Sequence, residues 1–337
     1  MTVTPRKTAL SKLRLLADNQ VQPVGDTVHR WSYREVDALT LALAAGRPLL
    51  VRGEPGTGKT QLAYAAALAM GWHLQAMAVN ARTEPQDLVY RFDAVQRLAD
   101  AQSPSHLLQE QRYWEPGPLW KACAWRHARG YGVWREEDGH PEPAGHVVLI
   151  DEVDKADADL PNSLLELLGQ RRLEIAALGK AFDLVPDTQP LVIFTTNDER
   201  QLPPAFVRRC VVLNQAAGSD YAAWLCERGA AHFGPDAPAG RPQLPPDLMR
   251  SAADRLVLDR QRAHGAGAQK PGLAEFIDLL GALHELAPQD APQQWALLRK
   301  LNAYVFLKAG TVDGVPELGQ GRPFDEAQPH STSVGAA

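Results

Sequence analysis

Short, unbroken apolar runs alternate with longer segments of helical periodicity over the first two thirds of the chain. Pro48-Leu49-Leu50-Val51, Val147-Val148-Leu149-Ile150 and Leu191-Val192-Ile193-Phe194 are continuous runs, and Val211-Val212-Leu213 is a shorter one. His73 to Val79 can form a further strand. A strand apolar on both faces suits a parallel sheet covered from both sides. Between these runs, Trp31 to Ala45 repeats Val36, Leu39, Leu41, Leu43 and alanines with helical spacing. An alanine- and leucine-rich segment ends near Gly71, and a leucine-rich one runs from Asn162 to Gly169. Strands alternating with helices predict an α/β fold, a parallel sheet with helices on both faces.

The texture changes after about Gly218. Segments 219–233, 245–262, 273–287 and 290–308 all carry a helical pattern with no convincing strand between them. Gly234-Pro235, Pro245-Pro246 and Pro271-Gly272 separate them. The reading is an arm over 1–25 that is loosely attached, an α/β core over 26–217 and an all-α domain over 218–309. From Gly310 the chain is rich in Gly, Pro and Ser, and 310–337 is expected to be a disordered tail.

Composition narrows the function classes. With 337 residues, 45% hydrophobic and 22% charged, the chain is an ordinary globular protein long enough for two domains. A net charge of -5 lacks the basic surplus of a duplex-DNA binder and argues against a nucleic-acid partner. Cys123, Cys210 and Cys226 form no CxxC pair and read as plain thiols in a reducing compartment. The basic N-terminus lacks the apolar core of a signal peptide, and no run approaches the ~18 apolar residues of a membrane span. The expectation is a cytoplasmic protein with no membrane partner.

Four elements carry chemistry. Residues 53–60 read GEPGTGKT, a G-x-x-x-x-G-K-[ST] loop with a strand before it and a helix after it. Gly53, Gly56 and Gly58 let the backbone wrap phosphate oxygens, with Glu54, Pro55 and Thr57 completing the loop. Loop amides and the helix N-terminus supply positive partial charge. Lys59 would reach the β- and γ-phosphates of ATP, and Thr60 would ligate Mg²⁺. Second, VVLIDE at 147–152 is a buried strand ending in two carboxylates. Asp151 would hold Mg²⁺ and Glu152 would activate the attacking water. Acids often end strands; it is the distance of about ninety residues after the phosphate loop that gives this pair its meaning.

The third element is LVIFTTN at 191–197, which places Asn197 just beyond a buried strand. It either aligns the lytic water opposite Glu152 or merely caps the turn into Asp198-Glu199. The fourth is PPAFVRRC at 203–210. Arg208 and Arg209 have no acids close in sequence to absorb them. They read either as a solvated basic pair or as a cation offered to a neighbouring subunit's γ-phosphate.

Taken together these motifs resemble the AAA+ ATPases, and within them the MoxR-like group related to the dynein-type AAA modules. The resemblance spans roughly residues 26 to 308. GEPGTGKT looks like the family's Walker A. VVLIDEVDKAD, continuing to LPNSLLELLGQRRLEI, looks like Walker B and its following helix. FTTNDERQLPPAFVRRC looks like sensor 1 and the arginine-finger segment, whose paired arginines fall on Arg208 and Arg209. It implies a P-loop AAA+ αβα parallel-sheet core with a C-terminal all-α lid domain. It also implies ATP bound with Mg²⁺ between the domains and against the next subunit. The implied assembly is a homo-oligomer, usually a hexamer. The implied work is remodelling or maturation of a protein client, with a von Willebrand A domain protein as a possible partner. One departure stands out. Many relatives carry a lid arginine, sensor 2, where this chain reads QKPGLAEFIDLL. Lys270 is the nearest cation, though it reads more readily as a surface lysine than as a replacement, and Arg262 lies further upstream.

Residues 88–145 form a long insertion holding Tyr113, Trp114, Trp120, Trp125, Tyr131 and Trp134. These rings either grip a polypeptide or pack against the core. The histidines are scattered, and His127, His140 and His146 show no ligand spacing, so no metal other than Mg²⁺ is expected. Two further readings of the whole chain stay open: a DNA-linked AAA+ machine, and a nucleotide-gated scaffold with little turnover. GTP in place of ATP also stays open: the guanine-reading NKxD is absent, Asn197 being followed by Asp198-Glu199-Arg200, but a related restriction motor uses GTP without it.

Overall fold

The computed structural model describes residues 4–102, 110–132, 142–157, 159–169, 172–185, 189–235, 237–265 and 270–305. In chain order the elements are α1 (Pro5–Arg14), β1 (Val21–Val24), β2 (Thr27–Arg30), α2 (Tyr33–Ala45), β3 (Leu49–Arg52), α3 (Lys59–Met70) and β4 (His73–Ala78). The insertion holds β5 (Tyr90–Phe92), α4 (Ala94–Ala101), β6 (Trp114–Pro116), α5 (Pro118–Cys123) and α6 (Trp125–Ala128). Then come β7 (His146–Asp151), α7 (Asp159–Gly169), β8 (Arg172–Ile175), β9 (Lys180–Asp183), β10 (Leu191–Thr196), α8 (Pro204–Val207) and β11 (Val211–Asn214). Helices α9 (Tyr221–Phe233), α10 (Pro246–Gly265), α11 (Leu273–Leu286) and α12 (Ala291–Val305) follow.

Five strands pair in the order β11-β3-β10-β7-β4, all parallel. Their apolar runs divide by alternation. Leu49, Val51, Leu149, Ile193 and Leu213 face one layer with Leu39, Leu62 and Ala66 of α2 and α3. Leu50, Val148, Ile150, Val192 and Phe194 face the other with Leu119, Trp120, Leu160 and Phe206. Both faces are covered, so no polar alternation is visible in these strands. Helices α9 to α12 bury a separate cluster that includes Leu225, Leu248, Phe276, Leu279 and Leu298. The fold is thus a P-loop αβα core with a helical C-terminal part, as the alternation predicts.

The N-terminal region differs from its expectation. Residues 5–14, read as part of a loosely attached arm, form α1, with Ala9 and Leu13 fully buried beside α2 and α3. Thr4 caps it and Pro5 starts it. Lys12 Nζ donates to Met70 O at 2.9 Å, satisfying a carbonyl at the end of α3. Three antiparallel strand pairs, β1–β2, β5–β6 and β8–β9, were not foreseen. The first joins the two parts of the molecule. Arg228 donates to Arg30 O at 2.7 Å, and Arg241 donates to Asp26 O at 2.6 Å and Thr27 O at 3.0 Å.

The expected tail at 310–337 lies outside the described residues, as do Trp134 and His140. Most described aromatics of the insertion pack inward. Trp120 is fully buried with its indole N–H on His127 Nδ1, Tyr113 donates to Asp100, and Trp125 lies against His73 and His146. Trp114 is half-buried between Tyr90 and Phe92. No helix among the described residues is long and apolar enough to cross a membrane.

Candidate nucleotide site

The strand order builds the site. β10 lies between β3 and β7, so the turns that leave these three strands converge at one end of the sheet. From β3 comes the loop 53–58, from β7 the pair Asp151-Glu152, and from β10 Asn197.

The loop closes around its lysine. Gly56 and Gly58 take φ of 76° and 95°, which side-chain-bearing residues rarely adopt. A Cβ on Gly53 would lie 2.5 Å from Gln215 O, so the chain can pass there only as glycine. Thr57 Oγ1 donates to Glu54 O at 2.9 Å. Lys59 is 6% exposed and donates to Gly53 O, Glu54 O and Asn197 Oδ1 at 2.8, 2.8 and 2.7 Å. Burial lowers its pKa, and Asp151, Asp154 and Glu152 oppose that shift. α3 starts at Gly58 with no side-chain cap and no acid in its first turn. Its first amides are therefore free to meet an anion.

The acids are held in order. Thr60 Oγ1 lies 3.0 Å from both carboxylate oxygens of Asp151. Thr195, fully buried at the end of β10, donates to Asp151 Oδ1 and accepts the Glu152 N–H at 2.9 Å. Glu152 itself sits in the left-handed region at φ 58°, a conformation costing about 1–2 kcal/mol outside glycine. Its carboxylate accepts from Asn197 Nδ2 at 3.1 Å and from Lys155 Nζ at 2.5 Å. Asn197 thus bridges Lys59 and Glu152. Hard oxygen donors at Thr60 and Asp151 fit Mg²⁺, and uncapped amides beside a buried lysine fit a polyphosphate. The residues present match the groups that the sequence implied.

Arg208 and Arg209 are elsewhere. They precede β11 at the opposite end of the sheet, where the Val211 N–H meets Pro48 O at 2.8 Å. Gly53 is five residues further along β3, about 16 Å at the rise of a strand. Both arginines are exposed, and neither side chain has a partner among the described residues. In its own chain this pair cannot reach the phosphate loop.

Three residues of the site were missed by sequence reasoning. Thr195 was visible as a hydroxyl in an apolar run. Lys155 stands three residues after Glu152, on the following turn. Arg260 gave no signal. It comes from α10, donates to Glu54 Oε2 and to Pro271 O at 2.7 Å, and stacks 4.4 Å from the Tyr221 ring centroid. Lys270 is exposed, in keeping with its reading as a surface lysine, and Arg262 pairs with Asp259 at 3.3 Å. The arginine that meets the loop lies on α10, the same helix as Arg262, at a position no linear motif marks. It also lines a 510 Å³ cavity with Gly53, Asn197 and Gln215.

Residues 48–210 match the family described as AAA domain (dynein-related subfamily), which supports an AAA+ ATPase. No curated protein matches the chain. Among solved structures, a candidate ATPase from Cytophaga hutchinsonii is 13% identical, with 90% of this chain and 86% of that one covered at a TM-score of 0.39. A point mutant of Thermotoga maritima RuvB is 15% identical, with 80% and 68% covered at a TM-score of 0.43.

Proposed function

We propose that the chain is one subunit of a ring-forming, MoxR-like AAA+ motor that binds ATP with Mg²⁺ and hydrolyses it to remodel or mature a client protein. The observation that carries the catalytic part is the continuous chain Lys59–Asn197–Glu152 beside the Thr60–Asp151 pair. A structural loop has no need of a lysine, an amide and a carboxylate in series at the open N-terminus of a helix.

Lys59 and the loop amides bind the phosphates. Thr60 and Asp151 would hold Mg²⁺, which when bound neutralises charge on phosphate oxygens. Glu152 takes the proton of the attacking water, and Asn197 orients that water from the Lys59 side. Arg208 or Arg209 of a neighbouring subunit stabilises charge on the transferred group. Arg260 links the phosphate loop to the helical domain, so changes at the loop move the lid. A hexamer, a von Willebrand A domain partner and a cytoplasmic location belong to the same proposal and rest on the resemblance of the motifs.

The test is steady-state ATP turnover with Mg²⁺ for the wild type beside Glu152→Gln. The wild type is expected to turn over, with a rate per subunit that rises with concentration, and the variant to bind ATP but stall. Equal turnover by both would remove Glu152 from the mechanism. A rate per subunit that stays constant down to a demonstrated monomer would remove the trans arginine.

A further inference from the structure

We infer that Arg47 is a positioning residue that fixes the Arg208–Arg209 segment for use by the next subunit; this rests on the trans-arginine reading above. The argument starts at the end of α2. Gly46 takes φ 63°, and the Arg47 N–H turns back onto Ala42 O at 3.0 Å, so the backbone at Arg47 is set by a glycine-closed helix end. Gln189 Nε2 holds Gly46 O from the other side at 3.3 Å. From this fixed base the Arg47 guanidinium crosses to the segment after α8. Nε donates to Arg209 O at 2.9 Å, and Nη2 donates to Arg208 O and, at 3.2 Å, to Cys210 O.

Three successive carbonyls are thus held by one side chain. The next rung is backbone, Val211 N–H on Pro48 O at 2.8 Å, from the residue adjacent to Arg47. Phe206, fully buried against Phe194, anchors the other end of the segment. The backbone under Arg208 and Arg209 is therefore pinned on both sides while their side chains stay exposed and unpartnered among the described residues. Two nitrogens of one planar guanidinium, Nε and Nη2, reach these carbonyls together. Lysine, whose ammonium is one atom on a flexible stem, lacks that rigid fork and fixes the segment less firmly. A solvated surface pair would gain nothing from such support, whereas a cation that must meet a phosphate on another molecule gains from being pre-set, since misplacement by about 1 Å can cost 10²-fold.

The test uses mixed assemblies of full-length chains. The acceptor carries R208A/R209A and keeps its own site; the donor carries E152Q and keeps its arginines. ATP turnover of the mixture measures donor arginines acting on acceptor sites. R47M added to the donor is expected to lower this rescue at least tenfold, and R47M added to the acceptor to leave it within twofold. R47K, which keeps the charge but loses the fork, is expected to act like R47M in the donor. Binding of a fluorescent ATP analogue by each R47 variant alone is expected to match the parent, which shows an intact fold and phosphate loop. Absence of rescue by the unmodified pair would overturn the trans-arginine reading, and this inference with it. Rescue that survives R47M in the donor, or that falls equally with R47M in either partner, would overturn the role of Arg47 alone.

Discussion

Thr195→Val isolates one hydroxyl at the centre of the site. Valine keeps the shape of threonine, and Thr195 is fully buried in β10, so packing between β3 and β7 is preserved. Two hydrogen bonds are lost. The Glu152 N–H, now 2.9 Å from the hydroxyl, is left without its acceptor, at about 1–3 kcal/mol. The bond to Asp151 Oδ1 is also lost, but that carboxylate keeps Thr60 at 3.0 Å, which offsets part of the cost. A net destabilisation of about 2–3 kcal/mol is expected. Urea unfolding followed by tryptophan fluorescence should show a lower midpoint with an unchanged slope, because the surface exposed on unfolding is the same. Turnover should fall about ten- to a hundredfold, since the same hydroxyl sets both acids. Thr195→Ser keeps the donor and acceptor and should restore most of both properties. A valine variant within about 0.5 kcal/mol of wild type, or a serine variant equally impaired, would refute the reasoning.

Further predictions concern the pairs around this centre. Lys155 holds the carboxylate that must meet water, and both partners are partly exposed, so Lys155→Met should raise basal turnover about 1.5- to 5-fold with ATP affinity unchanged. A tenfold fall would instead make Lys155 part of the catalytic arrangement. Arg260→Met removes the ties to Glu54, Pro271 O and Tyr221, worth about 1–2 kcal/mol together, and hydrogen exchange at the start of α11 should quicken by about 5- to 30-fold. Unchanged exchange there would show that the lid is held by other contacts. His146 is kept neutral by burial, with its pKa lowered to about 4. Its unfolded form takes up a proton near pH 6.5 while the folded form does not. Its contribution is therefore complete above about pH 6.5 and is lost as pH falls towards 4. The melting temperature should drop over that window, and less steeply in His146→Gln; His232, lowered in the same way, keeps some slope.

Much of the fold was legible because the burial pattern leaves a direct trace. Strands covered on both faces, such as Val147 to Ile150, appear as unbroken apolar runs, and the C-terminal helices are bounded by Gly-Pro and Pro-Pro turns. Residues 5–14 left a weak trace, because α1 buries only Ala9 and Leu13 completely. The antiparallel pairs escaped notice because strands of three or four residues give period-two alternation too little length. The phosphate loop and the acid pair were visible because their chemistry requires contiguous residues. Arg260 was not, because its partners Glu54, Pro271 and Tyr221 are brought to it only by the packing of two separate cores.

One relation could not have been read from motifs at all. Parallel strands put the start of one strand beside the start of its neighbour, so β11 begins where β3 begins, at Pro48, and the phosphate loop lies at the far end of both. The Arg208–Arg209 pair comes just before β11 and is therefore held away from its own nucleotide site by the full length of a strand. No side-chain rotation closes a gap of about 16 Å. For these arginines to act in hydrolysis they must act on another copy of the chain, so an assembly follows from the trans-arginine proposal rather than standing as a separate one. It also gives the support under the segment a reason: a group that must find its target on a different molecule cannot depend on the fold of its own site to place it, and the three carbonyls held by Arg47 do that placing instead.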